Sequence, residues 1–189
     1  SLHSFLFDQG LSSQYFFIKN ILVQSGFDCV WNNQSFTDVN SFCDNVKNSL
    51  QCSFRQKWEN EIETSSKCFF YKYFKTEFKK EKYISSLPDI YIYPLIKFRC
   101  SNHKLPIEVD RRFAIPREER LCNKCGMSTI GDEFHFIMEC TSHVDLRNKY
   151  LSKKFLSPKS VYNFCRIMST VNRKEMLLLS KYIRLSKVL

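Results

Sequence analysis

Alanine occurs once in the 189 residues, at Ala114, and glycine only four times. No glycine-rich loop is present that could cradle the phosphates of a nucleotide. No apolar run approaches the roughly 20 residues of a membrane span; residues 176–179 form a run of only four. The first five residues, Ser1-Leu2-His3-Ser4-Phe5, lack the basic and apolar regions of a signal peptide, and the missing initiator methionine suggests a piece of a longer protein. There is no paired Asp-Asp of a polymerase palm and no acid cluster suited to holding catalytic magnesium. Enzymatic activity is therefore not expected of this chain. What is abundant is Phe (18 residues), Lys, Asn, Ser, Ile and Tyr.

The nine cysteines are odd in number and mostly scattered singly, which disfavours a secreted disulfide scaffold. A reducing, intracellular setting, nuclear or cytoplasmic, fits better. At 43% hydrophobic and 25% charged, the composition is that of an ordinary folded protein.

The net charge of +10 is unevenly placed. Residues 1–50 carry 2 basic and 4 acidic side chains, and residues 51–100 carry 10 and 6. Residues 101–150 carry 8 of each, whereas residues 151–189 carry 9 basic and 1 acidic. AT-rich codons favour several of the abundant residues, so total charge alone is a weak pointer to nucleic acid; its concentration near the C-terminus says more.

Apolar spacing predicts a mainly α protein, a helical domain with a small irregular module inserted between helical segments. The expected divisions are a helical region over 1–100, a Cys/His module over 101–150 and basic helices over 151–189. A first helix is expected over 11–24, ending at Gly26. A long one carries Val39, Phe42, Cys43, Val46, Leu50, Phe54, Trp58 and Ile62 on a single face, with Thr37 or Asp38 as N-cap. A third pattern covers 67–83 and stops near Pro88. Residues 89–100 fit either a helix or a short strand. Val161, Phe164, Ile167, Met168 and Val171 mark a further helix, and Asn172 with Glu175 resembles a capping box opening a last helix through Leu189. Cys29, Cys43, Cys52, Cys68 and Cys165 fall within helical patterns and are expected to be buried packing residues.

The most specific signal is Cys122-x2-Cys125-x9-His135-x4-Cys140. Thiolate and imidazole are the donors zinc prefers, and a Cys-x2-Cys turn converges two sulfurs on one ion. Gly126 is suited to a knuckle's unusual backbone angles, and Asp132 is a suitable N-cap for a helix carrying His135 and Cys140. A closed four-ligand set indicates a structural site. Cys100-x2-His103 and Cys140-x2-His143 also have chelating spacing, so His103 or His143 remains an alternative ligand. Core cysteines with chance histidines are the remaining reading.

Three stretches together carry a resemblance. They are Arg99-Cys-Ser-Asn-His103-Lys-Leu105-Pro-Ile-Glu108, Ile115-Pro-Arg-Glu-Glu-Arg120-Leu-Cys122, and Gly131-Asp-Glu-Phe-His135-Phe-Ile-Met-Glu-Cys140. This combined pattern resembles the zinc-binding CCHC segment in the C-terminal region of non-LTR (LINE-type) retrotransposon reverse transcriptases. The specific part spans about residues 98–151, with looser likeness in the flanks. The resemblance implies that Cys122, Cys125, His135 and Cys140 are the Zn2+ ligands. It also implies an upstream reverse-transcriptase domain in the parent protein, with this segment holding element RNA or target DNA against the polymerase. The chain departs from the pattern at Asp110-Arg111-Arg112, where members usually carry Gly-Arg-aromatic.

Three basic surfaces are candidate phosphate contacts. Lys72, Lys75, Lys79 and Lys82 share a stripe on the expected 67–83 helix, which reads first as the solvated face of an amphipathic helix and second as a phosphate track. Arg111, Arg112, Arg117 and Arg120 precede the zinc cysteines, but Glu108, Asp110, Glu118 and Glu119 offer them local partners. Lys153, Lys154, Lys159, Arg166, Arg173, Lys174, Lys181, Arg184 and Lys187 are opposed only by Glu175 and form the strongest electrostatic footprint. The leading expectation is a zinc-stabilised nucleic-acid-binding module. The alternatives are a zinc-dependent protein-interaction module or a non-functional retroelement remnant.

Overall fold

The computed structural model describes residues 12–33, 35 and 38–189. The described residues are mainly helical; two of them, Leu121 and Ile130, form an isolated antiparallel bridge. The chain divides into two compact units, Ser1–Glu61 and Ile62–Leu189. No described helix is long and apolar enough to cross a membrane.

In the first unit, α1 (Ser12–Gln24) ends as its sequence predicts. Gly26 takes φ +80°, and the Phe27 N–H reaches back to the Leu22 carbonyl at 2.8 Å, closing the helix end. Leu11 and Thr37 lie outside the described residues. Asp38 caps the long helix α3 (Val39–Thr64), which follows α2 (Asp28–Asn33); the Ser41 N–H donates to Asp38 Oδ2 at 2.7 Å. Tyr15 packs edge-on against Trp31, and Phe27 against Phe42. The expected apolar face of α3 is not a core: Val39, Cys43 and Phe54 are exposed and the rest are half-buried. Cys29, Cys43 and Cys52 are also exposed, contrary to expectation. Helical spacing marks a face but not its cover, and the described helices of this unit bury no residue of α3.

The second unit holds the core. Residues 67–83 do not form one helix. They give two single turns, α4 (Tyr71–Phe74) and α5 (Tyr83–Ser86), joined by an irregular segment. The cause is a buried charge. Arg99, 4% exposed, lies between the rings of Phe74 and Tyr83, and its guanidinium donates to the Met168 carbonyl. The 75–82 segment folds so that Glu81 meets both Arg99 Nη2 (3.4 Å) and Lys75 Nζ (2.7 Å). Burying a guanidinium requires such partners. The lysine stripe is thereby dissolved: Lys72 pairs with Glu63, Lys75 with Glu81 and Lys79 with Glu77. Phe70 and Phe74 are core residues, while Phe78 is exposed.

Residues 89–99 are helical (α6, Asp89–Arg99), with Ile92, Leu95, Phe98 and Arg99 buried at helical spacing. The three- and four-residue spacing of these buried side chains decides for the helix, although Pro94 inside it removes one backbone hydrogen bond. The helix packs against α11 (Arg173–Leu185), whose Leu179, Tyr182 and Ile183 are almost fully buried. Asn172 caps α11 by accepting from the Lys174 and Glu175 N–H groups. Glu175 does not complete a reciprocal box; its carboxylate accepts from Thr170 Oγ1 and pairs with Lys154. The helix stops at Leu185, short of Leu189, and Lys187 turns left-handed at φ 55°. Between these two helices in sequence lie α7 (Pro106–Val109), α8 (Val144–Tyr150), α9 (Lys153–Leu156) and α10 (Val161–Met168). Phe164, Ile167 and Met168 of α10 are buried as its stripe predicts, whereas Val161 and Val171 are exposed.

The two units predict opposite responses to truncation. Leu95→Ala is expected to cost about 2–5 kcal/mol, as for a filled core position. Phe54→Ala is expected to change stability by no more than about 0.5 kcal/mol. Urea unfolding followed by far-UV circular dichroism checks both; a large loss for Phe54→Ala contradicts the exposed α3 face.

Candidate metal centre

Two local structures bring the four ligand candidates together. The first is the Cys122–Cys125 turn, closed by Cys122 N–H to the Thr129 carbonyl (2.8 Å). In the loop that follows, the left-handed residue is Ser128, at φ 49°, and not Gly126. Glycine is instead required at Gly131. A Cβ there would lie 2.8 Å from Pro106 Cγ and 3.1 Å from the Cys122 backbone, so the knuckle closes against α7 only without a side chain.

The second structure is a π-helical turn, His135–Glu139. Asp132 begins it as expected, its Oδ1 accepting from the His135 N–H at 2.9 Å. Residues five apart on an α-helix are separated by about 140° around the axis. The wider π turn, closed here by Cys140 N–H to the His135 carbonyl at 2.7 Å, returns residues five apart to nearly one side. That places His135 and Cys140 together while Phe136, Ile137 and Met138 between them enter the core.

Cys122, Cys125, His135 and Cys140 offer ligand atoms that all lie within 4.8 Å of one another. Cys125 Sγ is 3.2 Å from His135 Nε2, and Cys122 Sγ is 3.9 Å from Cys140 Sγ. The latter is far beyond the ~2.05 Å of a disulfide. It matches the roughly 3.8 Å sulfur–sulfur edge of a tetrahedron with metal–sulfur bonds near 2.3 Å. The four residues can hold a metal ion. His135 presents Nε2 to the sulfurs, while Nδ1 faces Thr129 Oγ1 at 3.0 Å and Glu139 Oε2 at 3.3 Å. Such partners fix a ligating imidazole's orientation and tautomer.

Burial pushes the Cys125 thiol up, but the Met127 N–H and the Cys122, His135 and Cys140 side chains outweigh it and bring it down to about 7. For Cys140, burial and the neighbouring Cys122 charge prevail and push the thiol up to about 11. The packed thiols cannot all ionise without a cation among them. A second charge points the same way. Arg147 is 5% exposed, donates to the Met138 and Cys140 carbonyls, and has no carboxylate partner among the described residues. Its Nε is also without a hydrogen-bond partner. Three thiolates and a neutral imidazole around a divalent ion carry net negative charge, which is the counter-charge this buried guanidinium lacks.

The alternative histidines are otherwise engaged. His103 is buried with Nε2 3.0 Å from Glu133 Oε1, and Ser101 Oγ donates to the same oxygen at 2.7 Å. Burial raises the Glu133 carboxyl, yet the hydrogen bond and charge of His103 outweigh it and hold the group below its ordinary value. His143 stacks edge-on against Phe136.

The arginines before the knuckle mostly serve the fold. Arg111 pairs with Glu108 at 2.9 Å. Arg117 pairs with Asp132 at 3.0 Å and covers the Phe69 ring. Arg120 donates to the Ile115 and Ile107 carbonyls. Arg112 is exposed. In the C-terminal set, Lys153, Lys154, Arg173, Lys174, Arg184 and Lys187 are exposed, and Lys181 lies half-buried over Tyr91. Among the described residues only Lys154 of these seven is paired with a carboxylate. Sequence reasoning missed Lys104 and Lys124, which line a cleft beside the thiols; nothing in their local sequence marks them. Compared with known proteins, the chain matches no family model, no curated protein and no solved structure.

The double variant Thr129→Val, Glu139→Gln is expected to lower metal affinity about 10–100-fold, by freeing the imidazole. Arg147→Met is expected to lower affinity and also to destabilise the fold by about 1.5–3 kcal/mol, because two buried carbonyls lose a charged donor. Competition with a chromophoric chelator, alongside thermal melting, reads both effects.

Proposed function

We propose that the four residues hold a structural zinc ion, and that the second unit is a nucleic-acid-binding module serving a polymerase of the non-LTR retrotransposon type. Three sulfurs and one nitrogen within 4.8 Å of one another suit zinc, and a closed set leaves no position for substrate. When bound, the ion supplies a fixed cross-link between the Cys122–Cys125 turn and the π turn. The chain's own residues then do the binding. Thiolate ligation requires reduced cysteines, consistent with an intracellular setting.

The observation that carries the nucleic-acid reading is the set of cations at 153–187, all exposed but Lys181, with a single carboxylate partner among them. Solvated, unpaired lysines and arginines on a folded face neutralise phosphates and release counterions, with little sequence preference. The link to a reverse transcriptase rests on the motif resemblance around residues 98–151, and this module is given no catalytic residue of its own. Docking onto a protein partner is the competing reading; it is favoured by the apolar groove of the first unit, which includes Leu22, Phe42, Val46, Leu50 and Phe54.

Elemental analysis of the purified chain should find one zinc per molecule, lost in Cys122→Ser. Binding to single-stranded RNA should fall steeply with salt. Charge reversal of Lys153, Lys174 and Arg184 to Glu should weaken it more than about tenfold near 0.1 M salt. Retained RNA binding in that variant, or salt-independent binding, rejects the electrostatic reading in favour of protein docking.

A further inference from the structure

A cleft of about 200 Å³ opens beside the thiol cluster. Cys122, His135 and Cys140 line it together with three lysines from distant parts of the chain, Lys104, Lys124 and Lys187. Each is exposed, and none is paired with a carboxylate among the described residues.

Backbone geometry explains why they meet. Lys124 occupies the middle of the Cys122–Cys125 turn, and its carbonyl accepts from Ser142 Oγ, tying the turn to the residues after Cys140. The Lys104 N–H donates to the Val188 carbonyl at 2.6 Å, which fastens the residues after α11 beside the start of the Cys/His segment. Lys187, left-handed at φ 55°, immediately precedes that anchor. The one acidic residue in the lining, Asp132, is buried and already committed, through Oδ2 to Arg117 and through Oδ1 to the His135 N–H. Burial holds the His143 imidazole below its ordinary value, and the charges of Arg147 and Lys124 lower it further. His143 therefore adds a neutral ring to the wall, and Asn123 adds an amide.

A concave site with three lysines and no free carboxylate recognises an anion. Its volume lies below the ~300–1,000 Å³ that encloses a whole small molecule. It suits a phosphate with the adjoining sugar. We infer that this cleft seats one backbone phosphate of a nucleic-acid strand, held by Lys104, Lys124 and Lys187 beside the metal centre. The inference rests on the nucleic-acid reading above and adds to it a definite address, outside the exposed helix face. Arg147, by balancing the charge of the thiolate centre, leaves the three lysines unopposed.

The test uses the full zinc-loaded chain, labelled with nitrogen-15, and the double variant Lys124→Gln, Lys187→Gln. Both positions are exposed, and an unchanged melting temperature and zinc content establish that the variant is folded. Titration with inorganic phosphate should give saturable shifts at the Asn123, Lys124 and Lys187 amides of the wild type, lost in the variant. Fluorescence anisotropy with a 12-nucleotide single-stranded RNA should then show about tenfold weaker binding in the variant. The slope of log K against log salt should be shallower by about 0.7, the value for one phosphate on a single strand. Absent phosphate shifts, or shifts that survive in the variant, overturn the cleft whether or not RNA binds. Phosphate shifts with no RNA binding by the wild type overturn the nucleic-acid assignment instead, leaving a site for free phosphate. RNA binding with an unchanged slope in the variant places the strand elsewhere and also overturns the proposal.

Discussion

The second unit depends on one short turn that has to satisfy two environments at once. Between His135 and Cys140, the side chains of Phe136, Ile137 and Met138 are at most 2% exposed, yet the residues at either end present ligand atoms to a separate cluster. An α-helix cannot do this at a spacing of five, because it points the two ends apart. The π turn resolves the conflict by widening one turn of backbone. Tyr182 then fixes the turn to the C-terminal helix, its hydroxyl donating to the Phe136 carbonyl at 2.8 Å. Core packing and the placement of the candidate ligands are thus one constraint, so an ion held by the four residues would be coupled to the folding of this unit through the same turn.

Buried charge organises what surrounds the turn. Arg99 and Arg147 are both almost completely enclosed, but they are satisfied differently. Arg99 draws Glu81 and two aromatic rings around itself, and that demand breaks the 67–83 segment into separate turns. Arg147 takes two backbone carbonyls and, among the described residues, no carboxylate, a costly arrangement unless negative charge stands nearby. The thiol cluster next to it is where such charge arises when a divalent ion is bound. The guanidinium is therefore better understood with the candidate metal centre than as part of the cationic surface.

Features governed by local chemistry were legible in the sequence. Asp38 and Asn172 cap the helices they were expected to cap, Gly26 closes α1, and the Cys/His spacing identified the four residues that converge. Features set by distant partners were not. The periodicity of 67–83 is genuine, yet Arg99 overrides it from outside the segment. The apolar spacing of α3 marks a face without saying what covers it, so the cysteines on that unit were misplaced into a core. His103 has chelating spacing from Cys100, but Glu133, thirty residues on, takes its imidazole. Spacing likewise cannot distinguish an α turn from a π turn, and the choice emerges only when both faces of 135–140 must be filled.

The same distinction sorts the basic residues. Arginine's planar fork suits it to fixed partners, and Arg111, Arg117 and Arg120 beside the knuckle are held by carboxylates or carbonyls of their own unit. Their charge is largely internal, in keeping with the equal numbers of acids and bases over 101–150. Lysine holds its charge on a flexible, strongly hydrated stem and keeps it available to solvent. Lys104, Lys124, Lys174 and Lys187 are exposed and without carboxylate partners among the described residues. A sequence-level sum treats both residue types alike and therefore puts the arginine cluster on a par with the helical lysines. Once the paired arginines are set aside, the available positive charge lies along the C-terminal residues and in the lining of the cleft beside the thiols. Two of the three cleft lysines belong to the stretch that is neutral in sequence, so local neutrality in the chain is no guide to the field that a ligand meets on the folded surface.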